Sequence, residues 1–326
     1  MVFSVRAAVA TFVAMISLSL AGCDRATTGS ANADDWRADL KQVRMGVTGG
    51  EEGSVALGTW KKYQAALESA TGLPTKLYQA TDYNGIIQAM ASGQVDVGQL
   101  GVAAYASLDS QVGPKAAPIL IQRSNDGAVG YYSGILVRAD SPYRNIDDLK
   151  GKTIGYVDFN STSGYLYPRW KLRDQGIDPD TFFSKSAISG GHTQGVLALA
   201  NRQFDAVAFV ASGGTPETGF MSGAYYELAR RGLIKIEDFR IIWTAGPIPN
   251  APMTMRTDTP QPFQDIVRGA LAAMPYDNPQ AMADAGVNLG NTLVATDRRA
   301  YLEIIAIRNQ EIAQRRADRS SGEQAK

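Results

Sequence analysis

The strongest constraint on the fold is an alternation. Beyond residue 40, short β-branched runs take turns with stretches whose apolar residues recur at helical spacing. That order specifies an α/β protein, with sheets covered by helices. Val43–Val47 reads as a first strand. Val55–Ala70 follows as an amphipathic helix, stopped by Gly72 and Pro74 in the order helix ends favour. Thr75–Gln79 and Val95–Gln99 are further expected strands, with helices opening near Asp82-Tyr83 and covering Val102–Ser110. A second α/β unit begins near Tyr132. Its expected strands are Gly134–Arg138, Thr153–Val157, Phe182–Ile188, Ala206–Phe209 and Phe239–Thr244, with helices at Ser163–Gln175 and Thr193–Asn201. One more strand, Met253–Thr257, precedes helices from about Pro260 to Arg316, and 317–326 reads as a polar tail. Two units of this size suit two lobes better than one core.

The amino terminus points to export. Met1–Leu20 carries one early cation, Arg6, and then an apolar run from Ala7. The run is too short for a permanent membrane span but has the size of a signal-peptide core. It ends in Leu20-Ala21-Gly22-Cys23, which matches the lipobox of bacterial lipoproteins, and Cys23 is the only cysteine among 326 residues. The expectation is a signal peptide over 1–22 and a lipidated tether over 23–40, anchored through Cys23. Asp24 resembles the signal that retains lipoproteins at the inner membrane, so the expected location is the periplasm, on the cytoplasmic membrane. A lone cysteine also excludes an intramolecular disulfide, which leaves core burial to supply stability.

Charge narrows the ligand chemistry. With 32 basic and 32 acidic residues the chain has no net charge, which argues against nucleic acid. Any anion must therefore be held by local hydrogen-bond donors. Asn160-Ser161-Thr162-Ser163-Gly164-Tyr165-Leu166-Tyr167-Pro168, entered from a strand and leading into a helix, is a device for that task. The first N–H groups of a helix lack internal partners, and the dipole favours negative charge there. A simple N-cap needs one hydroxyl; three hydroxyls followed by Gly164, which would let the backbone approach closely, point to a ligand site. The sequence holds no His/Cys/Asp cluster with metal-ligand spacing, and one histidine leaves little general-base chemistry. Ser161 or Ser163 with His192 lacks a nucleophile elbow. No cofactor, metal or catalysis is expected.

The same run resembles the phosphonate-binding proteins of ABC importers, a family that includes phosphite and hypophosphite binders. Asp82-Tyr83-Asn84-Gly85-Ile86-Ile87-Gln88-Ala89-Met90, Gly130-Tyr131-Tyr132-Ser133-Gly134, Gly191-His192-Thr193-Gln194-Gly195, Phe204-Asp205-Ala206 and Ile241–Pro249 match further family segments in collinear order. Asn145–Tyr156 is similar to the entry into the second lobe of many periplasmic binding proteins. The resemblance implies a type II two-lobed periplasmic binding protein, each lobe a mixed sheet flanked by helices, joined by a two-segment hinge. Lobe 1 would be 41–132 with 247–316, lobe 2 would be 133–246, and the hinges Tyr131–Gly134 and Thr244–Ala251. It also implies that Ser161, Thr162 and Ser163 hold the oxyanion, that His192 donates from the facing helix start, and that Tyr83 and Tyr131 add hydroxyl donors. Tyr131 and Tyr132 would alternate faces, so only one should reach the cleft. The implied partners are an ABC permease and its ATPase.

Two departures bear on the ligand. Ala251 stands where aminoalkylphosphonate binders carry an acidic residue, and the ammonium-binding glutamate aligns near Ser212, with Glu217 reachable only across a gap. A buried ammonium without a counter-charge is disfavoured. The expected ligand is therefore a small alkylphosphonate, phosphite or phosphate. A ligand-sensing subunit for a membrane signalling protein, or a binder of another small anion such as a sulfonate, are the alternatives.

Overall fold

The computed structural model describes residues 36–48, 55–280 and 290–324. The expected signal peptide, Cys23 and most of the tether lie outside the described residues. Residues Met1–Leu40 form a unit of their own, of which the short helix α1 (Trp36–Leu40) is described.

From Lys41 onward the chain builds two mixed sheets. The first contains β1 (Val43–Thr48), β2 (Thr75–Ala80), β3 (Val97–Gln99), β4 (Ala116–Arg123), β10 (Met253–Arg256) and β11 (Thr292–Ala295). Their spatial order is β11-β4-β10-β3-β1-β2. The second contains β5 (Gly130–Arg138), β6 (Thr153–Tyr156), β7 (Lys185–Ile188), β8 (Ala206–Ala211) and β9 (Phe239–Pro249), in the order β7-β6-β8-β5-β9. In each sheet three parallel strands meet an antiparallel partner: β2-β1-β3 meets β10, and β7-β6-β8 meets β5. The chain passes from one sheet to the other over 124–129 and returns over 250–252. Helices α2 (Val55–Thr71), α3 (Tyr83–Ala91), α4 (Val102–Val112), α9 (Gln261–Asp277) and α10 (Leu302–Gln324) accompany the first sheet. Helices α5 (Tyr167–Asp174), α6 (Pro179–Phe182), α7 (His192–Ala200) and α8 (Ala224–Arg230) accompany the second.

Burial explains these elements. On β1, Val43, Met45 and Val47 are buried together with Gly46, where a Cβ would lie 2.2 Å from Ile86 Cδ1. Ile135, Leu136 and Val137 of β5 are fully buried in succession, as expected of a strand covered on both faces. Every residue from Val102 to Asp109 of α4 is buried, so that helix lies inside the fold rather than on it.

The two halves share a latch. Asp96, just before β3, accepts from the Arg44 backbone N–H at 2.8 Å and from its Nε at 2.9 Å. Asp205, just before β8, accepts from the Thr153 backbone N–H at 2.9 Å and from its Oγ1 at 2.8 Å. In each sheet an aspartate thus ties the third parallel strand to the first. The Val95-Asp96-Val97 and Phe204-Asp205-Ala206 segments carry this architectural task.

Several elements depart from the sequence expectations. Strand β4 was not expected, because Pro118 lies within it and proline cannot donate to a ladder. The structure accommodates Pro118 at an irregularity, where the β10 register shifts between Met253 and Thr254. Strand β11 lies inside the stretch read as helices from about Pro260 to Arg316. Strand β7 starts at Lys185, since Pro179–Phe182 forms a helical turn capped by Asp178. Helix α8 follows a glycine-rich loop and carries no strong periodic signal, and α10 continues past Arg316 to Gln324.

Candidate functional site

Between the two sheets lies a cavity of about 260 Å3. Its lining includes all six residues expected to bind ligand: Tyr83, Tyr131, Ser161, Thr162, Ser163 and His192. Tyr132 turns away and packs its ring against Phe220, centroids 5.5 Å apart. Tyr105 is buried against Tyr301 instead of facing the cavity.

What converges on the cavity is a set of helix starts. Tyr83 is the first residue of α3, Gly101 caps α4, Ser161 caps the turn before α5, and His192 opens α7. Gly223 caps the shorter α8. Each start presents N–H groups and the positive end of a dipole. Gly101, Gly191 and Gly223 make no side-chain cap bond. Among the described residues no Asp, Glu, Lys or Arg lines the cavity. The electrostatics there come from oriented dipoles and neutral donors.

The Ser161–Ser163 segment is built in an unusual way. Residues Thr162–Leu166 form a π-helical turn that continues into α5; such turns concentrate at functional sites. Ser161 Oγ accepts from Gly164 N–H at 3.2 Å, the ordinary cap bond. Thr162 Oγ1 accepts from Ala103 N–H of α4 at 2.8 Å, which joins the two halves of the fold. Ser163 is buried at the cavity, and its carbonyl accepts from Ser133 Oγ at 2.7 Å. Pro168 explains that last bond. Tyr167 N–H reaches back to Thr162 in the π-helical register, and Pro168 has no N–H to offer the next carbonyl, Ser163; the Gly164 carbonyl, where the turn passes into α5, accepts from Val157 N–H at 3.0 Å. Gly164 serves packing, not ligand approach: a Cβ there would lie 2.3 Å from Val157 Cγ2.

The loop leading into this segment is held from the first half as well. Ser107 of α4 donates to Asn160 Oδ1 at 3.0 Å. The buried Arg308 of α10 donates to the Phe159 carbonyl at 2.8 Å.

His192 is 4% exposed, and burial pushes its pKa down from 6.5 to about 4. At neutral pH the ring is therefore uncharged. Its Nδ1 accepts from Val210 N–H at 3.2 Å, so the ring proton belongs on Nε2, which is a hydrogen-bond donor. A neutral donor at a helix start suits an oxyanion and requires no protonation to work.

Sequence reading missed the amide side of the cavity. Gln99, Gln122, Asn250 and Asn291 line it, at or beside the ends of β3, β4, β9 and β11. Two of those strands were not foreseen, and an isolated Asn or Gln carries no motif. Ala251 and Ser212, the positions of the two departures, both line the cavity. Ser212 Oγ pairs with Ser222 Oγ at 2.8 Å, and Glu217 is exposed on the loop outside the cavity lining.

Comparisons with known proteins identify the family. The family described as "ABC transporter, phosphonate, periplasmic substrate-binding protein" matches residues 45–301. The phosphonates-binding periplasmic protein of Escherichia coli K12 is 29% identical over 70% of this chain and 64% of its own length. The phosphate-import protein PhnD of Mycolicibacterium smegmatis is 31% identical over 61% of this chain and 63% of its own length. The chain thus spans a little under two thirds of the length of these relatives. Among solved structures, Prochlorococcus marinus PhnD1 in complex with methylphosphonate superposes with a TM-score of 0.70 at 15% identity, covering 83% of this chain and 98% of that one. That likeness speaks to the fold: two mixed sheets flanked by helices, as in periplasmic binding proteins. The chain belongs to the periplasmic phosphonate substrate-binding protein family of ABC transporters.

Proposed function

We propose that this protein captures a small phosphorus oxyanion lacking a cationic amine, namely an alkylphosphonate, phosphite or phosphate, and delivers it to an ABC permease and its ATPase. One observation carries the reading. Four helix starts, three hydroxyl-bearing residues and a neutral His192 converge on a cavity whose described lining includes no charged side chain. Oriented donors of this kind stabilise an oxyanion, while an ammonium would find no carboxylate partner. Ser161, Thr162, Ser163 and His192 would hold the oxyanion, with Tyr83 and Tyr131 completing its shell.

Capture would proceed by closure of two lobes, expected as 41–132 with 247–316 against 133–246; the chain crossings at 124–129 and 250–252, at the edges of the expected hinges Tyr131–Gly134 and Thr244–Ala251, would be the points that flex. The bonds from Ala103, Ser107 and Arg308 to the loop of 159–162 support this reading, since they bridge the two halves beside the cavity. The anchor would be Cys23, lipidated at the periplasmic face of the inner membrane. The test is calorimetry of the full chain in detergent with methylphosphonate, phosphite, phosphate, methanesulfonate and 2-aminoethylphosphonate, repeated with Ser161→Ala and His192→Ala. Micromolar or tighter binding of a phosphorus oxyanion, weakened by both substitutions, supports the proposal. Tightest binding of the amine compound or of the sulfonate would overturn it. Loss of the lipid-modified amino-terminal peptide in Cys23→Ala, read by mass spectrometry of membrane fractions, tests the anchor.

A further inference from the structure

We infer that the amide side of the cavity is a subsite for a hydroxyl group on the ligand's organic substituent, which makes the preferred ligand a hydroxyalkyl phosphorus oxyanion. The inference rests on the reading above, in which the helix starts take the oxyanion. It concerns the groups that the oxyanion does not use.

Two asparagines have their orientations fixed by the backbone. Asn250 Nδ2 donates to the Gln122 carbonyl at 2.9 Å, which leaves Oδ1 as an acceptor. Asn291 Oδ1 accepts from Asn125 N–H at 3.2 Å, which leaves its NH2 as a donor with no partner among the described residues. Asn291 is only 4% exposed and lines the cavity. Its unused donor is within reach of the ligand space that Asn291 lines. Gln122, also in the lining, adds an amide with both functions.

One acceptor and one donor on the same wall match a hydroxyl, which offers one of each. An ammonium offers donors only and would leave the Asn291 NH2 unanswered, with no described carboxylate in the cavity lining. A plain alkyl group would strand both asparagines, and unmet buried amides are costly. Size points the same way. A cavity of about 150 Å3 suffices for a benzene-sized ligand. In proportion, the about 260 Å3 here takes roughly ten heavy atoms, about twice what a methylphosphonate-sized anion needs. Room remains for a short hydroxylated chain.

The test is calorimetry of the full chain in detergent with ethylphosphonate, 2-hydroxyethylphosphonate and 2-aminoethylphosphonate. The expected result is that the hydroxyethyl compound binds at least about tenfold tighter than the ethyl compound. Asn291→Ala should then bring that ratio toward one. The wild-type ratio stands as a test by itself, whatever the variant's folding. Equal or tighter binding of ethylphosphonate, or strongest binding of the amine, overturns the hydroxyl subsite while leaving the oxyanion site in place. If no phosphonate and no inorganic phosphate binds, the oxyanion reading falls first and the subsite with it.

Discussion

The pH response of His192 offers the sharpest check on the site, because the chain has no other histidine. Its imidazole is pushed down to about 4 by burial, from 6.5. Above pH 6.5 the ring is neutral in the folded and the unfolded chain alike, and it costs nothing. As pH falls, the unfolded chain takes up the proton first, so stability is lost between pH 6.5 and 4 and the loss levels off below that. At about 1.36 kcal/mol per pH unit, the gap from 6.5 to 4 amounts to about 3 kcal/mol, of which about 2 kcal/mol has gone by pH 5. The perturbation is His192→Gln, whose amide keeps an acceptor for Val210 N–H and does not titrate. Urea unfolding at pH 7.5 and pH 5, without ligand, measures both proteins; carboxylates that titrate in the same window cancel in the difference. The wild type should lose about 2 kcal/mol more than the variant on going to pH 5. Nitrogen-detected NMR of the single imidazole should show the proton on Nε2. Parallel stability curves, or an Nδ1-protonated ring, would refute the neutral-donor argument.

Other perturbations follow from the geometry. Thr162→Val removes the acceptor of the buried Ala103 N–H, so ligand affinity in calorimetry should drop roughly tenfold or more, the cost of about 1–3 kcal/mol for a stranded donor. Gly223→Ala forces a side chain onto φ +109° with its Cβ 2.7 Å from the Val210 carbonyl oxygen; urea unfolding should show a loss of about 2 kcal/mol or more. Asp96→Ala strips Arg44 of a carboxylate whose side chain is fully buried. A loss of about 3 kcal/mol in the same assay is expected, and an unchanged midpoint would mean that the latch between β1 and β3 is dispensable.

Much of this architecture was legible in residue order. The alternation of Val43–Val47, the buried run at Ile135–Val137 and the glycine and proline stops gave the α/β plan and most strands. The convergence of Ser161–Ser163 on a cavity was legible too, because three hydroxyls crowded before a helix exceed what a simple cap needs. Three things were hidden, each for a physical reason. Strand β4 was masked by Pro118, whose place in a ladder depends on a register shift in a partner far along the chain. The amides Gln122, Asn250 and Asn291 acquire meaning only when distant strand ends meet, and no local pattern announces that. Gly164 looked like a concession to a ligand. Its real constraint is Val157, seven residues earlier and pressed against it by the return of the turn onto β6.

Pro168 has a consequence for how such a site can change over time. By withholding one N–H it leaves the Ser163 carbonyl to Ser133, while the Gly164 carbonyl, where the turn passes into α5, is held by Val157; the two bonds tie the turn to β5 and to the end of β6. The frame of the Ser161–Ser163 segment is therefore carried in part by bonds from groups outside the cavity lining. Ser161 Oγ and Thr162 Oγ1 hold bonds of that frame as well, accepting from Gly164 and Ala103 N–H. A lineage that changed these hydroxyls would have to keep those two acceptors. Replacing Pro168 would put the frame, rather than the selectivity, at risk.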